Sequence, residues 1–178
     1  QVKILQLMVV LSVFKNLEIK SHKGKYKLIV NKNLDQFIKT TKNYNCYFII
    51  DSNIAKLYNQ EIKSILNNKN TIIIKATENS KSIKKIIPII SILVKNKIRR
   101  GDYIIAIGGG VIQDITSFIC SVLYRGISWI FLPTTLLAQS DSCIGSKSSV
   151  NLGVNKNILG TYNPPKFTYL MPFFLNTL

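Results

Sequence analysis

Near-continuous apolar runs at 46–50, 71–74, 103–107 and 128–132 punctuate the chain. Each stops abruptly, at Asp51-Ser52-Asn53, Lys75-Ala76-Thr77, Gly108-Gly109-Gly110 and Pro133-Thr134-Thr135. Runs this short and this uniformly apolar suit strands buried on both faces of a parallel sheet. Earlier runs at 4–13 and 26–30 predict two more strands. Between the runs, apolar residues recur at spacings of three and four, which predicts helices over 33–41, 53–66, 81–97 and 111–124. Pro88 falls inside the third of these and either kinks it or marks a later start. Beyond Thr135 the periodicity fades, and the glycines and asparagines of 145–163 predict loops or a short hairpin wrapping a pocket. Strands alternating with helices in this way predict an α/β fold, a mostly parallel sheet flanked by helices.

The chemistry gathers where strands end. Gly108, Gly109 and Gly110 follow a predicted strand and open the predicted helix 111–124. Without β-carbons the backbone can turn tightly and approach a ligand closely, while the helix amides and dipole favour an anion such as a pyrophosphate. The common fingerprints are not met. The third glycine of G-x-G-x-x-G would fall at Gln113, and no G-K-[ST] follows. Taken alone, the three glycines fit equally a tight turn with no ligand. Thr134 and Thr135 then place two hydroxyls at the carboxyl end of the next strand, where open α/β sheets bind ligands. Asp141, Lys147, Lys156 and Asn157 follow within one polar stretch.

In order and almost without gaps from Gly108 to Tyr162, the segments GGGVIQD, YRGI, PTTLLAQSDS, GSKSSVN and KNILGTY resemble the successive motifs of the 3-dehydroquinate synthase family of sugar phosphate cyclases. The resemblance implies a Rossmann-like NAD-binding domain spanning 1–178. Its motif block is 102–163, and 164–178 begins the connection to a helical C-terminal domain absent from this chain. It implies an enzyme that takes 3-deoxy-D-arabino-heptulosonate 7-phosphate to 3-dehydroquinate with loss of phosphate, NAD serving as a transient oxidant, and working as a homodimer. Asp51, Asn53, Glu78, Lys81, Gly109, Gly110, Asp114, Thr134, Thr135, Lys156, Phe174 and Thr177 resemble the family's NAD contacts. Asp141, Lys147, Asn157 and Lys156 resemble its catalytic and substrate residues, and Arg125 the arginine that reaches the substrate phosphate of a neighbouring subunit. Zinc or another divalent metal is implied, with its glutamate and two histidine ligands outside this chain, which is therefore expected to be inactive alone.

The residues also allow ordinary roles. Asp51 or Ser52 can cap a helix, Ser80 can cap another, and Lys81 can be a solvated side chain. Two stretches depart from the family pattern. Gln113 stands where the glycine turn usually continues V-[IV]-G-D, and Ser146, Ser148 and Ser149 stand in a loop that usually reads G-G-K-T-G-V-N. A related NAD-dependent cyclase acting on another sugar phosphate, a polyol dehydrogenase of the same superfamily and a non-catalytic NAD-binding remnant remain open beside the synthase.

Composition changes little of this. Of a net charge of +16, residues 1–100 carry 20 Lys or Arg against five acids, whereas 101–178 carry four against three. The excess is scattered singly and lacks aromatic interleaving or a DNA-binding spacing, which argues against a nucleic-acid partner. Three separated cysteines, Cys46, Cys120 and Cys143, read as reduced core thiols of a cytoplasmic protein. The single histidine, His22, lies in a Lys- and Gly-rich loop and builds no metal site. The longest apolar stretch, 4–14, is too short to span a bilayer.

Overall fold

The computed structural model describes residues 16–30 and 33–177; the strand expected over 4–13 lies outside them. Seven strands form one sheet in the order β1-β2-β9-β6-β5-β3-β4. They are β1 (Asn16–Ser21), β2 (Gly24–Val30), β3 (Cys46–Asp51), β4 (Thr71–Ile74), β5 (Tyr103–Gly108), β6 (Ser128–Pro133) and β9 (Phe167–Leu170). Every pairing is parallel except the β1–β2 hairpin at one edge. β7 (Lys147–Leu152) and β8 (Asn155–Tyr162) form a separate antiparallel pair, the hairpin expected within 145–163.

The apolar runs become strands because both of their faces are covered. Ile49, Ala106 and Phe131 point to one face with Ile86, Leu93, Ile112, Ile115 and Ile119, from helices α4 (Ile83–Lys95) and α5 (Gly110–Val122). Phe48, Ile50, Ile105, Ile107 and Leu132 point to the other, against Phe37 of α1 (Leu34–Thr41), Ile54 of α2 (Ser52–Leu57), Ile65 of α3 (Lys63–Leu66) and Phe174. Alternate residues of one strand thus serve two cores, which is why the runs are apolar throughout rather than every second residue.

The structure differs from the sequence pattern in four places. The helix expected over 53–66 is two short helices, α2 and α3. Between them Tyr58 leaves helical geometry and buries its ring against Phe173 and Phe174, so the apolar period survives while the helix does not. The helix expected over 81–97 starts at Ile83, five residues ahead of Pro88, so the proline is interior and leaves the Lys84 carbonyl without a helical donor. β1 and β9 were not anticipated. The four-residue β9 follows Pro164-Pro165 and inserts between β2 and β6. Residues 138–142, where the helical period fades, form a single π-helical turn, and 172–177 form a 3₁₀ helix.

Candidate functional site

The registers Ile50↔Ile107 and Gly108↔Pro133 bring the carboxyl ends of β3, β5 and β6 level. Asp51, the glycine turn and Thr134-Thr135 therefore share one edge of the sheet. Gly109 needs to be glycine because a β-carbon there would lie 2.9 Å from the Thr135 methyl, whereas around Gly110 the same test finds nothing within 4 Å. The N-terminus of α5 thus faces open space beside a closely packed turn. Thr134 is 2% exposed, its amide donates to the Gly108 carbonyl at 3.0 Å, and its hydroxyl has no hydrogen-bond partner. A buried hydroxyl in that state is an exception that calls for a cause, a bound group among them.

Beside this turn lies a buried ionic network centred on Lys81. Its ammonium is 2.8 Å from Asp114 Oδ2 and donates to Asn157 Oδ1 at 3.0 Å and Ser149 Oγ at 3.1 Å, which uses all three of its protons. Asp114 is fixed from its other side, accepting from the Ser149 amide at 2.9 Å and the Ser149 hydroxyl at 3.2 Å. Asn151 extends the network. Its Nδ2 donates to Glu78 Oε1 at 2.9 Å and to the Glu78 carbonyl, and its Oδ1 accepts from the Asn157 amide at 2.8 Å. The hydrogen bond from Asn151, with Lys81 and Lys156 nearby, holds the Glu78 carboxyl below its ordinary value despite some desolvation. Asn157 sits at φ 57°, a left-handed conformation that asparagine tolerates better than most residues. Four candidates from distant parts of the chain, Glu78, Lys81, Asp114 and Asn157, are in this way brought into one constellation. The network also ties the β7–β8 hairpin to α5 and to the 3₁₀ turn at Glu78–Lys81.

The other candidates fall around it. Lys147 and Lys156 are exposed on β7 and β8, and Asp141 is exposed on the π-helical turn. Asp51 is the N-cap of α2, accepting from the Asn53 amide at 3.0 Å, and Asn53 is exposed. Phe174 is buried edge-on against Tyr58, whose hydroxyl lies 2.9 Å from Thr177 Oγ1. Lys81 is buried rather than solvated, and Ser80 caps no helix, its hydroxyl instead donating to the Lys75 carbonyl. Arg125 is not brought together with the rest. It follows α5 at φ 62°, at the amino end of β6, and lines a cleft of about 590 Å³ with Lys23, Lys25, Arg100 and Lys166.

Sequence reasoning missed Asn151 and the hydroxyl of Ser149 as members of the network. Gln113, noted only as a departure, is 5% exposed. Its Nε2 donates to the Ser142 carbonyl at 2.7 Å, and its Oε1 accepts from the Ser142 hydroxyl at 2.7 Å. Among the described residues no three His, Cys, Asp or Glu side chains cluster to hold a metal ion, and no helix is long and apolar enough to cross a membrane.

Comparison with known proteins matches residues 71–178 to the family described as 3-dehydroquinate synthase N-terminal. A 3-dehydroquinate synthase of Clostridium acetobutylicum is 37% identical over 173 residues, covering 92% of this chain and 49% of that protein. One of Buchnera aphidicola subsp. Cinara cedri is 41% identical over 129 residues, covering 72% of this chain and 35% of its own length. The chain thus spans about half, or less, of the curated relatives it matches. Among solved structures, the 2-epi-5-epi-valiolone synthase of Streptomyces hygroscopicus subsp. jinggangensis, with NAD+ and Zn2+ bound, superposes at a TM-score of 0.75 with 28% identity over 86% of this chain and 44% of that one.

Proposed function

This chain belongs to the 3-dehydroquinate synthase N-terminal family, and on that premise we propose that it is the NAD-binding half of a 3-dehydroquinate synthase. The reaction is the conversion of 3-deoxy-D-arabino-heptulosonate 7-phosphate to 3-dehydroquinate with release of phosphate. The observation that carries the reading is the Lys81 network, which joins candidate nucleotide residues and a candidate substrate residue in one rigid contact set beside the glycine turn.

The residues present fit a dinucleotide. The closely packed Gly109, the open space over Gly110 and the N-terminus of α5 suit a pyrophosphate, and the partnerless hydroxyl of Thr134 suits a polar group of the same ligand. Asp51 and Asn53 would hold the adenosine side, Glu78, Lys81 and Asp114 the ribose and phosphate region, with Thr135, Lys156, Phe174 and Thr177 completing the cradle. Bound there, NAD would supply a transient acceptor for the hydride on the carbon that bears a substrate hydroxyl, the hydroxyl proton leaving to a base, and would give the hydride back later. The chain's own part is electrostatic and positional. Lys81, held between Asp114, Asn157 and Ser149, fixes the side chains that line this part of the cradle before any ligand arrives, so that they need no reorganisation on binding. Asn157 is oriented by its amide's bond to Asn151, and the exposed amines of Lys147 and Lys156 stand on the hairpin it belongs to. Oxidation to a ketone makes the neighbouring proton acidic, and lysines within reach stabilise the resulting oxyanion. The described residues offer no ligand cluster for a metal ion, so a divalent ion of the full-length protein would take its ligands from elsewhere.

Arg125 lies one strand length from this edge, roughly 20 Å along the six residues of β6. Within one chain it cannot serve the same site, so the reading gives it to a second copy in a homodimer of a cytoplasmic enzyme. The likeness to a valiolone synthase, together with the side chains of Gln113, Ser148 and Ser149, favours as second reading a related cyclase acting on another sugar phosphate. Phosphate release from 3-deoxy-D-arabino-heptulosonate 7-phosphate by the full-length protein with NAD and Zn2+ tests the first reading. Its absence, with phosphate release from another sugar phosphate instead, would favour the second.

A further inference from the structure

The π-helical turn at 138–142 carries Asp141 on its exposed side, while Ala138, Gln139 and the adjoining Cys143 are buried on the other. Asp141 and Ser140 are exposed, and a π-turn is a less stable conformation that often marks a functional site. Two glutamines fix it. Gln139, 2% exposed, donates from Nε2 to the Pro133 carbonyl at 3.0 Å and the Met171 carbonyl at 3.1 Å, which ties the turn to the ends of β6 and β9. Gln113 grips it from the opposite side. Its amide closes a two-bond ring on Ser142, donating to the backbone carbonyl and accepting from the hydroxyl, both at 2.7 Å. A backbone carbonyl can only accept, so the orientation of the amide is fixed by chemistry. Gln113 is in the first turn of α5, whose N-terminus faces the glycine turn, and its neighbour Asp114 holds β7 through Ser149. One helical turn therefore clamps the hairpin on one flank and the Asp141 turn on the other.

We propose that Gln113 is a positioning residue that latches the π-helical turn through Ser142 and so sets where Asp141 stands relative to the nucleotide cradle. The proposal rests on the proposed function for Asp141's role toward the sugar phosphate, while the latch itself does not. A glycine at this position would leave the Ser142 carbonyl without its donor and the turn held through Gln139 alone on the sheet side; a misplacement of about 1 Å at such a site is enough to change turnover by about a hundredfold.

Gln113→Met keeps side-chain length and removes both hydrogen bonds. Ser142→Ala removes one of them, and Ser142→Thr keeps the hydroxyl. In the full-length protein, hydrogen exchange of amides 138–144 should quicken in Gln113→Met and Ser142→Ala and return to wild-type protection in Ser142→Thr, with 78–81 and 147–152 unchanged. kcat/KM for the heptulosonate phosphate should fall at least about tenfold in Gln113→Met, chiefly through kcat, while the Kd for NAD measured by calorimetry changes less than threefold. Unchanged exchange of 138–144 in Gln113→Met overturns the latch. Faster exchange with unchanged KM and kcat overturns the positioning role and leaves only a structural one. If the wild-type protein turns over no heptulosonate phosphate, the proposed function fails, and the exchange data still decide the latch.

Discussion

Replacing Lys81 with methionine isolates the network on which the functional reading stands. Lys81 is 6% exposed, and its ammonium bonds to Asp114, Asn157 and Ser149 at 2.8–3.1 Å. Methionine fills the space of the aliphatic stem, so the packing loss is small and the effect is electrostatic. Removing one partner of a buried ion pair costs about 3–5 kcal/mol, because the other charge is left uncompensated. Asp114 retains its two bonds from Ser149 and its side chain is 19% exposed, which places Lys81→Met at the low end, about 3 kcal/mol. For a chain of this length that is a fall in Tm of about 6–12 °C. Denaturant titration is well suited to it, since the single tryptophan, Trp129, is 2% exposed in the sheet and reports the unfolding of this core. Lys85→Met, at an exposed position of α4, is the control and should stay within about 0.5 kcal/mol of wild type. Adding Asp114→Asn to Lys81→Met should recover about 1–2 kcal/mol, since the orphaned charge is then gone. A Lys81→Met stability equal to that of Lys85→Met would refute the buried network and with it the observation carrying the proposed function.

Gly109→Asp should weaken NAD binding at least about tenfold in titration calorimetry, because its β-carbon meets Thr135 at 2.9 Å and its carboxylate enters the anion cradle; unchanged affinity would place the nucleotide elsewhere. Burial pushes the thiols of Cys46 and Cys143 up to about 11 and that of Cys120 well above the ordinary range. The native protein at pH 8 should therefore release no colour from Ellman's reagent within minutes and three equivalents after denaturation, and prompt reaction of Cys143 would show the π-helical turn to be open. Glu78 is held below its ordinary value of 4.5, chiefly by Asn151, so its folded-state value lies under its unfolded one. Its contribution to stability is complete above pH 4.5 and lost as the pH falls through the folded value. Between pH 6 and pH 3.5 the denaturation midpoint of Glu78→Gln should accordingly fall less than that of wild type, and equal falls would remove Glu78 from the anchoring of the hairpin.

The sheet was legible where local sequence and tertiary burial agree. The runs ending at Ile50, Ile107 and Leu132 are apolar throughout because each strand feeds two cores, and the glycines and threonines after them mark the edge where the candidate residues gather. β9 was hidden because Phe167–Leu170 is four residues long and becomes a strand only by pairing with β2, far back in the chain, and with β6. The break at Tyr58 was hidden for a related reason: the apolar spacing of Ile54, Tyr58, Ile62 and Ile65 is helical, and only the aromatic contact with Phe173 and Phe174 makes the turn worth its lost hydrogen bonds.

The site shows the same limit more sharply. Lys81 in isolation reads as one solvated lysine among many, since its acceptors lie 33, 68 and 76 residues away and no local pattern announces them. The family resemblance picked it out, together with Asp114 and Asn157, but not Asn151 or the Ser149 hydroxyl that complete the hydrogen bonding. Gln113 is the opposite case. Judged against a glycine fingerprint it is a defect, because a long polar side chain near a helix start suggests a lost close approach. Within the glycine turn the close approaches belong to Gly108 and Gly109, where added β-carbons would strike Ile112 and Thr135. Gln113 points away from the cradle toward Ser142, where both ends of its amide are used. A position that a motif treats as a requirement for smallness is here a place to hold a neighbouring turn, and telling the two apart requires the direction of the side chain, which spacing along the sequence does not contain.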